Sequence, residues 1–489
     1  MGRSLRDVLG KPLASWIAPH NISRLGSGFL LSNMSRQIVF LKEDDLVAFL
    51  LGDLSPASDT YRDLVFGGFL IDCPSEIFAS LAASRLRKTR ENLFWGTTLH
   101  IFVITTACNL KCAYCQAHRI REHLPAGSMS PYTARQSVNF ALQAPNKRLT
   151  FEFQGGEPLL NFPAIEEIVL YGQNRAEELG KTIRFDLVTN LTAMTFEKLD
   201  FLVEHGVNIC ASLDGPQVIH DDNRPFANGK GSHDSVIHWI KEIKRRIAGE
   251  NDHTIAFNAI PTVTKKSLLI PEMLVDEFVR LGFESVSLRY LSPLGRAFQN
   301  WDNLGYSPEE FTNFYARALR YIIELNRLGI QVREDFARMI SSMVFNKSPV
   351  NHMEMRSPCG AGTGQLAYQW NGDVYTCDEA RMIGENGDLK FRLGNVTADT
   401  YNTCLSSDIV QVLATCSCIE SVPECQGCAY SPFCGVCPIQ SYCEHGSVSL
   451  SLAGGFRCRV LMGQMDTIFQ LLLSEDHTLG DVIRKWGSD

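Results

Sequence analysis

Between residues 97 and 291 short apolar runs alternate with amphipathic stretches, and this alternation limits the possible folds more than any other feature of the chain. β-like runs at 100–105, 149–153, 184–188, 208–212, 255–260 and 285–291 are separated by helical patterns. Among these are 133–142, entered through Ser130 and Pro131, and 271–281, stopped by Gly282. Six β/α units in series predict an α/β fold built on a partial (β/α)6 barrel, with an active site at the C-terminal ends of parallel strands. The first four strands run into "CNLKCAYC", "GGEPLL", "TNLT" and "SLDGP", so four polar or glycine-rich stretches converge on one face.

The first of these stretches packs three thiols, Cys108, Cys112 and Cys115, into eight residues. Structural zinc normally takes four protein ligands and a disulfide takes two. Three thiolates on a [4Fe–4S] cube leave one iron open to a small chelating molecule. The chain has 16 cysteines, and eight of them (Cys416, Cys418, Cys425, Cys428, Cys434, Cys437, Cys443, Cys458) fall between 416 and 458. Such density marks metal ligands rather than a disulfide framework in a reducing compartment. Cys73 and Cys210 stand alone in apolar settings and read as small buried hydrophobes.

Composition narrows the partners. A net charge of −8 and a pI near 5.9 argue against a nucleic-acid backbone or an anionic membrane as the main partner. The basic run "KEIKRR" reads as the solvated face of a helix. No apolar run reaches the roughly 18 residues of a membrane span, and "MGRSLRDVLGKPLASW" lacks the apolar core of a signal peptide. The expected location is cytoplasmic.

Four regions are expected: an N-terminal element at 1–95, the barrel core at 96–300, a helical bridge at 301–355 and a cysteine-rich domain at 356–489. In the first, β-like runs at 29–31 and 37–41 flank a polar turn, and helical patterns follow at 45–51 and 59–65. The order resembles the winged-helix-like α+β elements with which peptide-modifying enzymes capture a leader peptide as an added strand. A plain cap over the barrel edge is the other reading.

"CNLKCAYC" followed by "GGEPLL" resembles the radical S-adenosylmethionine (SAM) superfamily. The resemblance implies that Cys108, Cys112 and Cys115 hold a [4Fe–4S] cluster whose open iron binds SAM, and that one electron cleaves SAM to a 5′-deoxyadenosyl radical. Tyr114 would lie against adenine, and Gly155 and Gly156 would let backbone carbonyls reach the SAM ammonium, with Glu157 as a further acceptor. Asn190 and Ser212 would reach the ribose and methionine portions, and Arg224 would pair with the carboxylate. The competing reading of Asn190, Ser212 and Arg224 is as loop caps or surface residues.

The C-terminal cysteines resemble the SPASM extension, which usually holds two auxiliary [4Fe–4S] clusters. Cys359, "YQWNGDVYTC" ending in Cys377, "CQGCAYSPFCGVC" and Cys458 carry the likeness. By that likeness Cys425, Cys428, Cys434 and Cys458 hold an outer cluster, for which Cys418 and Cys443 also compete. Cys359, Cys377 and Cys437 contribute to an inner one. Two residues separate Cys434 from Cys437 where the family commonly has three, and no cysteine lies between Cys359 and Cys377. The inner cluster therefore has an open iron, borrows Cys418, Cys404 or Cys443, or is absent; the chain carries one or two auxiliary clusters.

Over most of its length, through "LHIFVITTACNLKCAYCQ", "TFEFQGGEPLLNFP", "DEARM" and "FRLGNV", the chain resembles the His-Xaa-Ser system radical SAM maturases and related cyclophane-forming enzymes. This implies a ribosomally made precursor peptide with a leader segment as substrate, a reducing partner such as flavodoxin or ferredoxin, and an intramolecular link from a side-chain carbon to an aromatic ring. Asp378, directly after Cys377, matches the general base of SPASM sulfatase-maturing enzymes. Thioether formation in a peptide and formylglycine formation in a sulfatase are the alternative reactions. A zinc or iron–sulfur scaffold without activity is the non-enzymatic one.

Overall fold

The computed structural model describes residues 17–117, 126–249, 255–349, 352–474 and 476–488. The stretch read for a signal peptide, residues 1–16, lies outside the described residues.

Three strands, β1 (Asn21–Leu25), β2 (Gly28–Ser32) and β3 (Ile38–Leu41), form an antiparallel sheet in that order. Helices Glu43–Leu51, Asp59–Gly67 and Ser75–Thr89 follow. Leu31, Leu41, Leu46, Phe49, Leu64 and Phe69 give this element its own small core. It is seated on the cysteine-rich region. Asn21 Nδ2 donates to the Cys428 carbonyl at 3.0 Å, Ser32 Oγ to that of Ala429 at 2.7 Å, and Arg36 Nε to that of Pro432 at 3.0 Å.

The main sheet has eight strands. β4 (Leu99–Thr105), β5 (Arg148–Gly155), β6 (Thr182–Thr189), β7 (Val207–Ser212) and β8 (Phe257–Ile260) are parallel neighbours in chain order. The sixth expected strand differs. Of 285–291 only β9 (Ser285–Val286) is a strand, and it pairs with β10 (Arg333–Glu334) rather than with β8. A single parallel bridge, Thr262 to Arg289, links that segment back toward β8. On the other side β11 (Gln365–Tyr368) pairs parallel with β4, and β12 (Asp373–Tyr375) and β13 (Arg392–Asn395) add antiparallel. The sheet is therefore mixed and runs into the cysteine-rich region. The pairing of residue 101 with residue 367 joins segments too far apart in sequence for a local pattern to reveal.

Side-chain alternation along β5 decides what each face does. Leu149, Phe151 and Phe153 are buried in the core that also holds helices Pro131–Ala141 and Phe162–Glu178. Each such phenylalanine contributes about 1.5–3 kcal/mol. Thr150 and Glu152 point the other way, into an interior cavity. The helix starts follow local rules: Ser130 accepts from the Thr133 amide with Pro131 at the first helical position. Helices Pro308–Arg327 and Asp335–Phe345 pack on Phe456–Leu472 and His477–Ser488. No helix among the described residues is long and apolar enough to cross a membrane.

Candidate cluster sites and the cavity between them

The loop after β4 is held in place by main-chain bonds to distant segments. Lys111 N donates to Pro225 O at 2.8 Å, Ala113 N to Asn223 O at 2.9 Å, and Arg296 N to Cys115 O at 3.1 Å. On the β5 side, Gly156 N donates to Thr105 O and Glu157 N to Ala107 O, both at 2.8 Å. A Cβ on Gly156 would stand 2.2 Å from the Ala107 carbonyl oxygen, and one on Gly155 2.2 Å from that of Thr105. The two glycines thus admit the backbone of the cysteine loop itself, a reason for them beyond access to a ligand.

Glu157 is turned inward. Its Oε1 accepts from Leu159 N at 3.0 Å and from Thr189 Oγ1 at 2.7 Å, while Oε2 accepts from Asn190 N at 2.8 Å. It ties the end of β5 to the end of β6. Asn190, also buried, donates through Nδ2 to Asn109 Oδ1 at 3.1 Å, with Cys108 Sγ at 4.0 Å, and so touches the cysteine loop directly. Ser212 stands half-buried at the last position of β7.

Asp214, fully buried in "SLDGP", is the hub that sequence reasoning passed over. Tyr114 Oη donates to its Oδ2 at 2.5 Å, Asn223 Nδ2 to Oδ2 at 3.1 Å, and Thr262 N to Oδ1 at 3.0 Å. Arg224 lies over the Tyr114 ring at 5.2 Å and pairs with Asp214, Nε to Oδ1 at 3.1 Å. That Nε–H is poorly aimed at the oxygen, so Arg224 is held to Asp214 as an ion pair more than by a hydrogen bond. An Asp at a strand end before a glycine was the available signal.

The donor set fits a cluster. Burial pushes the Cys108 thiol up to about 11 and Cys112 up to about 12, and the three thiols lie within each other's fields together with Arg224. Thiols so placed become thiolates only against added positive charge, which iron supplies. Among the described residues no three His, Cys, Asp or Glu converge to grip one metal ion. A cube asks for a wider spacing, because each thiolate binds a different iron. The Arg224 guanidinium over Tyr114 suits an anionic group of a ligand on this loop, with Asp214 holding its Nε side.

The other cysteines fall into two groups. Cys425, Cys428, Cys434 and Cys458 share one neighbourhood. Cys359, Cys377 and Cys437 are buried together in a second. Cys377 caps helix Asp378–Glu385 and Cys437 caps helix Pro438–His445, each sulfur accepting a backbone N–H at 3.4 Å. Both positive helix ends thus point at the place an anionic cluster would occupy. Cys418 is apart, 3.6 Å from Glu420, and Cys443 is exposed. Asp378 is held by Arg381, whose Nε donates to its Oδ1 at 2.8 Å.

A cavity of about 690 Å³ lies between the two regions. Gln116 lines it beside the cysteine loop, Glu152 on the strand wall, Arg289 on the far side, and Glu379, Cys437 and Arg457 next to the second thiol group. Burial pushes the carboxyls of Glu152 and Glu379 up to about 7.

Residues 102–294 match the family model described as the Radical SAM superfamily. The cysteine-type anaerobic sulfatase-maturating enzyme of Clostridium perfringens is 24% identical over 340 residues, covering 68% of this chain and 85% of that one. Among solved structures, anSMEcpe with bound AdoMet superposes with a TM-score of 0.65 at 21% identity, covering 79% of this chain and 99% of that one. Streptococcus suis SuiB bound to precursor peptide SuiA gives 0.54 at 14% identity, covering 90% and 99%. These structures share the fold. Residues 102–294 thus match the radical SAM family model, and the chain is similar in sequence to anaerobic sulfatase-maturating enzymes.

Proposed function

We propose that this radical SAM chain modifies a ribosomally made precursor peptide, joining a side-chain carbon to an aromatic ring within it. The observation that carries the reading is the cavity running from Gln116, beside the first cysteine loop, to Cys437 and Glu379. Its volume suits one or two side chains of a peptide. The relatives named as sulfatase maturases and the peptide-bound SuiB structure support a peptide or protein substrate.

Cys108, Cys112 and Cys115 would hold the cluster to which SAM binds, and that pair would supply the radical chemistry able to take one hydrogen atom from the substrate. Joining the resulting carbon to a ring then leaves one proton and one electron to remove. Asp378 is the proton acceptor in this reading, with Arg381 holding Oδ1 and leaving Oδ2 for the proton. The auxiliary cysteines would hold the iron–sulfur centre that takes this electron, and a flavodoxin or ferredoxin would supply the one that starts each turnover.

The N-terminal element serves as the leader-binding part. Within its sheet β3 is an edge strand, and Phe66, Ile77 and Leu81 leave apolar surface exposed nearby in sequence. Formylglycine formation is the second reading, favoured by the names of the sulfatase-maturase relatives. Coexpression with a precursor peptide tests both. A mass loss of two hydrogens with no reaction toward an aldehyde-trapping hydrazide supports the crosslink, and a hydrazone adduct supports formylglycine.

A further inference from the structure

We propose that Glu379 is the fourth protein ligand of the inner auxiliary cluster, completing a three-cysteine, one-carboxylate set with Cys359, Cys377 and Cys437. The proposal rests on the reading that this trio holds a [4Fe–4S] cluster.

Glu379 stands two residues after Cys377, in the first turn of helix Asp378–Glu385, and lines the cavity alongside Cys437. About 100° of helical turn separates it from Asp378, so the two acids face differently. Asp378 goes to Arg381, while the Glu379 carboxylate takes a hydrogen bond only from its own amide among the described residues. A carboxylate at such depth needs a cation or a donor; Arg289, which also lines the cavity, acts on it through its field, and iron would be the direct partner. The fields of Cys359, Cys377 and Cys437 all include Glu379.

The other sulfurs are less well placed. Cys404 packs in the large barrel core, against Gly394, and not with the trio. Cys418 sits with Glu420, which in turn takes Ser357 and Arg90. Cys443, on the helix that Cys437 caps, also has Glu379 in its field, but it is exposed where the trio is buried. Arg457 balances the added negative charge. It is buried, with Nη1 donating to Tyr290 Oη at 2.9 Å and Nη2 to Glu354 O at 3.0 Å, and the fields of Cys434 and Cys437 both include it. Because oxygen holds iron less firmly than thiolate does, an iron held by Glu379 would be the exchangeable one.

The test uses protein with Cys108, Cys112 and Cys115 replaced by Ala, reconstituted anaerobically, and reads iron content, reduced EPR and Mössbauer spectra. That parent should hold about eight irons in two cubes. Glu379→Gln should lose inner-cluster iron or shift its spectra. Glu379→Cys should keep about eight irons with a changed EPR spectrum and midpoint potential. Cys443→Ser should match the parent. Spectra and iron unchanged in both Glu379 variants would overturn the ligand assignment, as would a change confined to Cys443→Ser. A parent with only about four irons would overturn the inner cluster itself.

Discussion

The hydroxyl of Tyr114 donates to Asp214 Oδ2 at 2.5 Å, across 100 residues of sequence. The bond joins the cysteine loop after β4 to the end of β7, and Arg224 closes over both groups. The site is therefore a set of strand ends tied together by two buried carboxylates, Glu157 and Asp214.

Asp214→Asn should weaken SAM binding at least about tenfold, because it leaves the Arg224 charge uncompensated and removes a charged acceptor worth about 1.5–3 kcal/mol per bond. Tyr114→Phe removes only one of those bonds and should do less. Equilibrium binding of SAM to the reconstituted enzyme checks both. Unchanged affinity in the Asn variant would make Asp214 a bystander.

Gly156→Ala should empty the first cluster site while sparing the others. The new methyl group would meet the Ala107 carbonyl at 2.2 Å, and only movement of the cysteine loop relieves it. Iron analysis should show a loss of about four irons. Full iron content would mean that the loop can shift without losing its geometry.

Much of this arrangement was legible because it is local. Ser130 and Pro131 start a helix, Gly282 ends one, and each motif lies just past a strand whose apolar run could be read directly. What could not be read depends on contacts far along the chain. The 285–291 run looked like a sixth barrel strand, but a two-residue pairing with Arg333 and Glu334 captures it. Strand β11 adds beside β4 with no sequence mark of its partner. In "TCDEAR" the two acids are alike as letters. Helical phase, and Arg381 one turn on, separate their roles.

Ile38→Pro should weaken precursor binding while leaving SAM cleavage intact, since the register of β3 on β2 turns the Ile38 N–H to the open edge, where proline removes the donor an added strand would use. This is a cleaner test than removing the first ninety residues, because Asn21, Ser32 and Arg36 brace the loop of Cys428. Fluorescence polarisation with a labelled peptide measures it. Equal affinity would leave the element as a cap.

Asp378→Asn should let 5′-deoxyadenosine form while product falls at least roughly a hundredfold, the lower range for loss of a general base. Parallel chromatography of nucleoside and peptide reads the ratio. Coupling equal to wild type would remove Asp378 from proton transfer.

Stability should fall as pH rises across the window set by Glu334. This fully buried carboxyl is raised by burial from 4.5 to about 7. Within that window the folded state keeps a proton that the unfolded chain has released, so folding loses about 1.4 kcal/mol per unit, a few kcal/mol in all. Glu334→Gln should flatten the difference in Tm between about pH 5.5 and about pH 8. An unchanged slope would show that Glu334 is not its source.

The central claim is that Cys108, Cys112 and Cys115 together hold a SAM-cleaving cluster. The most direct measurement is 5′-deoxyadenosine released from SAM and a strong reductant, under anaerobic conditions, by the wild type and by the variant with all three replaced by Ala. The account predicts steady release by the wild type and none by the variant, which keeps its auxiliary iron. Equal release by the two proteins would contradict it.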